Sequence, residues 1–136
     1  MADKLLRLEI YTPEKIFYSG DVAMVEYNTT EGEVGVYANH IPMTQMIAPG
    51  QMTITDKEGN KREAALHKGF VEILGDRVTI LTEAVEWPED IDAKRAEEAR
   101  VRAERRLKSE SGEANVIRAE LALKRALLRL SMAKKN

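Results

Sequence analysis

Residues 85–108 read VEWPEDIDAKRAEEARVRAERRLK, and the chain changes character inside this stretch. Trp87-Pro88 interrupts β-prone sequence. Pro88-Glu89-Asp90-Ile91-Asp92 then reads as a helix start, because proline fits a first turn and acidic residues favour the positive end of the helix dipole. From Ile91 to Lys108 there is no Gly or Pro, and Ala, Glu, Arg and Lys dominate, so a helix is predicted there. Ile91, Ala99, Ala103 and Leu107 share one of its faces. Ser109-Glu110-Ser111-Gly112 is a stop and turn, and a second helix is predicted from about Glu113 to Ala133. That helix carries two apolar stripes, Ile117, Leu121, Leu128 and Met132 on one, Val116, Leu123, Leu127 and Leu130 on the other. The Ala-rich face of the first helix can cover one stripe. The second stripe needs the rest of the chain or a partner protein.

Upstream of the seam the period changes from helical to twofold. Leu6, Leu8 and Ile10 alternate with Leu5, Arg7 and Glu9, which suits a half-buried strand. Thr12-Pro13 breaks it. Val22 to Tyr27 is β-rich, and Met52 and Ile54 alternate with threonines. The turn Lys57-Glu58-Gly59-Asn60 leads into Lys61 to His67. Phe70 to Leu74 and Arg77 to Thr82 flank Gly75-Asp76, a two-residue hairpin signal. Short strands about ten residues apart predict an antiparallel sandwich or barrel. With one Trp, four Tyr and two Phe, its core must be mostly aliphatic.

Charge and composition divide at the same place. Residues 1–86 carry 8 Lys+Arg against 14 Asp+Glu, whereas residues 87–136 carry 13 against 9. Seven of the eight glycines and three of the four prolines precede residue 87. Two domains are therefore expected, 1–86 and 87–136. Zero cysteines exclude a disulfide scaffold, a thiolate zinc site and a cysteine nucleophile. Two histidines, His40 and His67, are too few for a His-rich metal centre. No apolar run reaches membrane-span length, and acidic residues interrupt the first apolar stretch. The expectation is a soluble, intracellular protein.

Catalytic signatures are missing. The sequence holds no GxxxxGK[ST], GxGxxG or HExxH, and no Ser, His and Asp combination stands out. Asn28-Thr29-Thr30 matches a glycosylation acceptor, a pattern common by chance. His40, beside Ile41-Pro42, reads as a structural hydrogen-bonder, and His67 as a surface residue at a strand end. The arginines are more informative. Arg95 and Arg102 stand seven residues apart on one helix face, and Arg125 and Arg129 four apart on the other helix. Four guanidinium groups on one cleft would suit a polyphosphate. The plainer alternative is a solvated basic face with Glu97, Glu98 and Glu104 interleaved, which the residues alone favour. A nucleic-acid stripe is weaker still, because so many acids are interspersed.

Several segments, in order, resemble a known family. Glu31-Gly32-Glu33-Val34-Gly35-Val36-Tyr37-Ala38-Asn39-His40-Ile41-Pro42 is similar to the EGELGI-x-PGH-x-P loop of the ε subunit of bacterial F-type ATP synthase. Lys68-Gly69-Phe70-Val71-Glu72-Ile73 with Val78-Thr79-Ile80-Leu81 resembles its GGFLEV…VTIL strand pair. Asp90-Ile91-Asp92-Ala93-Lys94-Arg95-Ala96 resembles the [IL]-D-x-x-R-A motif of its first C-terminal helix, and Ala119-Glu120-Leu121-Ala122-Leu123-Lys124-Arg125-Ala126 its second. The match spans essentially the whole chain. Ala38-Asn39 replaces the usual Pro-Gly, and His67-Lys68-Gly69 the usual Ser-Gly-Gly.

The resemblance implies a ten-stranded antiparallel β-sandwich followed by an αα-hairpin, in a non-catalytic central-stalk subunit on the cytoplasmic face of the cell membrane. The implied partners are the γ subunit and the c-ring, with the α and β subunits when the hairpin extends and inhibits ATP hydrolysis. Glu31, Glu33 and His40 match the loop that faces the c-ring, where acidity suits basic ring loops. In bacillus-like members the folded-down hairpin binds ATP as a regulatory ligand, with Mg²⁺ as an optional companion. Those contacts carry over onto Glu86, Ile91, Asp92, Arg95, Ala96, Arg102, Arg125 and Arg129. The Ile91-Asp92 end would hold adenine and ribose, and the four arginines the phosphates. Two other functions compete: a constitutive inhibitor indifferent to ATP, and a free-standing sandwich that binds carbohydrate. The second of these would need exposed aromatics on one sheet face.

Overall fold

A computed structural model describes residues 4–109 and 112–133. The chain divides between Glu86 and Trp87 into two compact units.

The first unit is a ten-stranded sheet wrapped on itself: β1 (Leu6–Tyr11), β2 (Ile16–Val22), β3 (Met24–Thr29), β4 (Gly32–Val36), β5 (Met43–Ile47), β6 (Gly50–Thr55), β7 (Lys61–Leu66), β8 (Gly69–Leu74), β9 (Arg77–Thr82) and β10 (Val85–Glu86). The strands lie in the order β10-β7-β6-β3-β5-β8-β9-β1-β2, with β4 paired to β3. All these pairs are antiparallel except β1–β9, which run parallel with Leu8 opposite Val78 and Ile10 opposite Ile80. The twofold pattern decides what is buried. Leu6, Leu8 and Ile10 face inward with Val25, Tyr27, Met52, Ile54, Val71, Ile73, Val78 and Ile80, an aliphatic core as expected. Gly75 adopts φ 61° in the β8–β9 turn, the left-handed geometry its hairpin position requires. Strands β2, β4 and β5 carry weaker signals. Each buries one residue only, Val22, Val36 and Ile47 respectively.

His67 corrects the expectation of a surface residue. Its side chain is fully buried, and its Nε2 lies 3.1 Å from Glu86 Oε1. The cause is non-local. Its backbone N–H donates to Ala84 O, and Thr82 Oγ1 donates to its carbonyl, so the short β10 folds over the end of β7. Among the described residues its buried Nδ1 meets no hydrogen-bond partner.

Tyr27 titrates with the fold. The side chain is 2% exposed and its hydroxyl donates to Gln45 Oε1 at 2.7 Å. Burial pushes its pKa up from 10.0 to about 12, because a buried phenolate loses its hydration. A folded-state pKa above the unfolded one contributes stability that is complete below pH 10 and is lost as pH rises toward 12. Thermal melts across that window should show wild type losing more stability than Tyr27→Phe. Parallel losses would mean that another group is responsible.

The second unit is a pair of helices, α1 (Ala93–Ser109) and α2 (Glu113–Met132). The helix start differs from expectation. Pro88–Asp90 forms a separate 3₁₀ turn, closed by the Ile91 N–H on Pro88 O with Ile91 extended. Asp92 then caps α1, its Oδ1 accepting the Arg95 N–H at 3.0 Å. The seam differs too. Its buried residues are all alanines, Ala96 and Ala103 on α1, Ala119 and Ala126 on α2. Each pair is seven residues apart, with half-buried Ala99 and Ala122 between, which is heptad spacing. Small side chains let the two backbones approach closely. Val116, Leu123 and Leu130 of one stripe are half-buried at three- and four-residue steps from these alanines, while Ile117, Leu121 and Leu127 stay exposed.

Candidate functional site

One flank of the alanine seam is a basic furrow. A cleft of about 270 Å³ is lined by Arg102 and Arg106 from α1 and by Arg125 and Arg129 from α2, with Ala99, Ala103, Ala122 and Ala126 as its floor. The alanines explain the cleft, because they leave the long side chains on either bank with nothing between them. Toward the tip a second cleft of about 320 Å³ is lined by Arg106, Asn115, Arg118 and Ala119. Arg106 belongs to both. Two carboxylates of α1, Glu97 and Glu104, both pair with Arg100, which holds the Glu97 carboxyl below its ordinary range through a hydrogen bond. Among the described residues no salt bridge reaches Arg102, Arg106, Arg118 or Arg125. Unneutralised guanidinium groups facing one another repel, and a bound polyanion relieves that repulsion.

The residues expected to hold a nucleotide are partly gathered here. Arg102, Arg125 and Arg129 line the cleft. Arg95 is exposed on the same stripe as Arg102 but does not line it, and Asp92 and half-buried Ile91 stand at the start of α1. Ala96 is buried in the seam. Glu86 lies on β10 of the first unit, against His67. Arg106 and Arg118 are additions, and the sequence holds a signal for them. Residues 95–107 and 118–130 share the pattern R-A-E-x-A-x-x-R-A-x-x-R-L, a repeat offset by 23 positions that places the arginines and the seam alanines identically on both helices.

The first unit offers two further surfaces. Glu31 sits in the β3–β4 turn, where its N–H donates to Thr29 Oγ1, and Glu33 follows on β4 opposite Asn28. Both are exposed. His40 lies beyond the opposite end of β4: the neighbouring Asn39, at φ 67°, donates its N–H to Asp76 in the β8–β9 turn. His40 Nδ1 is 2.8 Å from Ile41 O. The acidic turn and the histidine are thus separated by the length of a five-residue strand, roughly 16 Å.

The other surface is apolar. Tyr11, Leu81, Phe70 and Met46 form one cross-strand row over β1, β9, β8 and β5, since the register pairs Tyr11 with Leu81, Leu81 with Phe70, and Phe70 with Met46. Met46, Phe70 and Leu81 are each more than half exposed. With Pro13 they wall a cleft of about 640 Å³. An apolar row at outward positions of a sheet marks a docking face, and its members are scattered along the sequence. It holds one Phe and one Tyr, and no flat aromatic platform of the kind a sugar binder uses.

Comparison with known proteins adds to this geometry. Residues 5–88 match the model of the family described as ATP synthase, Delta/Epsilon chain, beta-sandwich domain, and residues 89–134 that of the long alpha-helix domain of the same chain. The ATP synthase epsilon chain of Caldanaerobacter subterraneus subsp. tengcongensis is 45% identical over 133 residues, covering 98% of this chain and 96% of that one. That of Shouchella clausii is 43% identical over 129 residues, covering 95% of each. Among solved structures, a chain of the Euglena gracilis mitochondrial ATP synthase (OSCP/F1/c-ring) superposes with a TM-score of 0.76 at 28% identity, over 88% of this chain and 76% of that one. A chain of the Tetrahymena thermophila central stalk and c-ring shares the fold, with a TM-score of 0.65 at 14% identity, over 98% of this chain and all of that one.

Proposed function

The chain belongs to the delta/epsilon chain family of ATP synthase, whose ε member is a non-catalytic subunit of the central stalk, and on that premise we propose that its sandwich joins the stalk to the ring while its hairpin reports the ATP level. The basic furrow is the observation that carries the second half of this reading. Arg102, Arg106, Arg125 and Arg129 around an alanine floor suit a triphosphate, with paired N–H donors for its oxygens. Any Mg²⁺ would ride on the phosphates. Arg95 and the Ile91-Asp92 end would meet the remainder of the nucleotide. ATP that binds only the folded-down hairpin shifts the balance toward that state by its differential affinity. When ATP is scarce the hairpin extends and inhibits hydrolysis, and exposed Ile117, Leu121 and Leu127 are then reburied on the neighbouring subunits.

For the sandwich, the apolar row of Tyr11, Met46, Phe70 and Leu81 is the γ-facing surface. Glu31 and Glu33 meet basic loops of the c-ring, and a contact that also includes His40 runs the length of β4. Subunits so placed lie on the cytoplasmic face of the membrane as part of the complex, and among the described residues no helix is long and apolar enough to cross it.

Isothermal titration of the whole chain with ATP, and with ADP as comparator, tests the sensing role. Saturable one-to-one binding with ATP preferred over ADP is the expected result. No heat and no thermal stabilisation at millimolar ATP would leave the stalk role intact and make the hairpin a constitutive inhibitor.

A further inference from the structure

The two helices of the hairpin carry one repeated motif, and antiparallel packing of like sequences creates a local twofold axis. Arg106 lies beside Arg118 at the tip, while Ala99 and Arg102 face Ala122 to Arg129, so the pair is antiparallel. The 23-residue offset maps Arg95 onto Arg118, Arg102 onto Arg125 and Arg106 onto Arg129. Under that axis the Arg106–Arg118 pair is the counterpart of Arg129 with Arg95. The repeat is one of sequence; in the structure Arg106 and Arg118 line a cleft together, whereas Arg95 does not line the cleft that holds Arg129. Asn115 lines the same cleft as Arg106 and Arg118 at the tip.

We propose that Arg106, Asn115 and Arg118 form a second oxyanion subsite, continuous with the nucleotide cleft through Arg106, that takes one further phosphoryl group. This deepens, and rests on, the nucleotide reading of the furrow. Length supports it: Arg118 to Arg129 spans eleven residues, roughly 16 Å of helix, and the two clefts together run along it. Charge supports it as well, since Arg106 and Arg118 face each other with no carboxylate in salt-bridge range among the described residues. The added group is either the terminal phosphate of a longer polyphosphate chain or a separate phosphate ion bound beside ATP.

The test is calorimetric titration of the full chain with adenosine 5′-tetraphosphate, with ATP, and with inorganic phosphate after ATP saturation. The tetraphosphate is expected to bind about tenfold or more tightly than ATP, the effect of one additional charge-assisted contact. Arg118→Ala should bring that ratio close to one. Arg118 is exposed and outside the seam, and unchanged helical circular dichroism would verify that the variant folds. Phosphate binding to the ATP-saturated chain, lost in Arg118→Ala, would support the subsite with a free ion as its occupant. Equal affinities for the two nucleotides together with no phosphate binding overturn the proposal. If ATP itself does not bind, the nucleotide reading fails, and inorganic tripolyphosphate decides the subsite alone: binding weakened by Arg118→Ala supports it, and no binding overturns it.

Discussion

Gly69→Val is expected to destabilise the sandwich by about 3 kcal/mol or more, whereas Phe70→Asp, one residue along, should leave it folded. A β-carbon at Gly69 would stand 2.0 Å from Leu81 O and 2.7 Å from the Thr82 Cα. Both obstacles are backbone, so no side chain can swing aside. Gly69 pairs with Thr82 on one side and Ile47 on the other. Thr82 is itself tied down, its hydroxyl within donating distance of the carbonyls of His67, Lys68 and Ala84. Relief therefore requires β8 and β9 to separate where β10 is anchored. Phe70, by contrast, is 52% exposed, and replacing it removes apolar surface without opening a cavity. Scanning calorimetry should show a fall of about 10 °C or more for Gly69→Val and little change for Phe70→Asp. The second variant should instead fail to assemble with the γ subunit. A wild-type melting temperature in Gly69→Val would contradict the close approach of these strands.

The contrast between neighbouring residues also shows what a sequence can disclose. Strands β1, β6, β8 and β9 are legible because their inward residues repeat every second position, whereas β7 buries Ala64, Ala65 and Leu66 in a row and is marked by the turn before it. Strands β2, β4 and β5 bury one residue apiece, so pairing with neighbours, not local pattern, defines them. The outward position of Phe70 is legible from alternation, yet its meaning is not. Only the register that aligns it with Met46 and Leu81 turns three scattered apolar residues into a face. The burial of His67 is illegible for the same reason, since β10, which supplies its partner Glu86, arrives nearly twenty residues later.

In α2 the large apolar residues misdirect in part. The Ala-rich face of α1 packs as its sequence suggests, but on α2 the fully buried positions are Ala119 and Ala126, with Val116, Leu123 and Leu130 only half-buried. Once the alanines are seen as the seam, the arginine furrow follows from geometry, because positions flanking a seam on two antiparallel helices converge on one side. Arg95, Arg102, Arg125 and Arg129 were singled out by spacing and resemblance. Arg106 and Arg118 needed the internal repeat.

Joint replacement of Arg102 and Arg125 by alanine is expected to weaken ATP binding by about 10²-fold or more. Each guanidinium offers a charge-assisted contact to phosphate, about 1.5–3 kcal/mol when well formed. Arg102 is exposed and Arg125 half-buried, so solvent screening puts the expectation toward the low end. Neither side chain is in the alanine seam, so helicity should persist and the loss should be one of binding. Two comparisons separate specific contact from general charge. Arg102→Lys keeps the charge but not the planar fork, and should recover only part of the affinity. Arg105→Ala removes an equal charge from α1 at a position that lines neither cleft, and should cost little. If Arg105→Ala weakened ATP as much as Arg102→Ala, the furrow would be a diffuse basic face and not a site. The same variants reach the stalk's regulation. On the proposed sensing role, a hairpin that no longer binds ATP loses the differential affinity for the folded-down state, so inhibition of hydrolysis in the assembled enzyme should persist at ATP concentrations expected to relieve it in wild type.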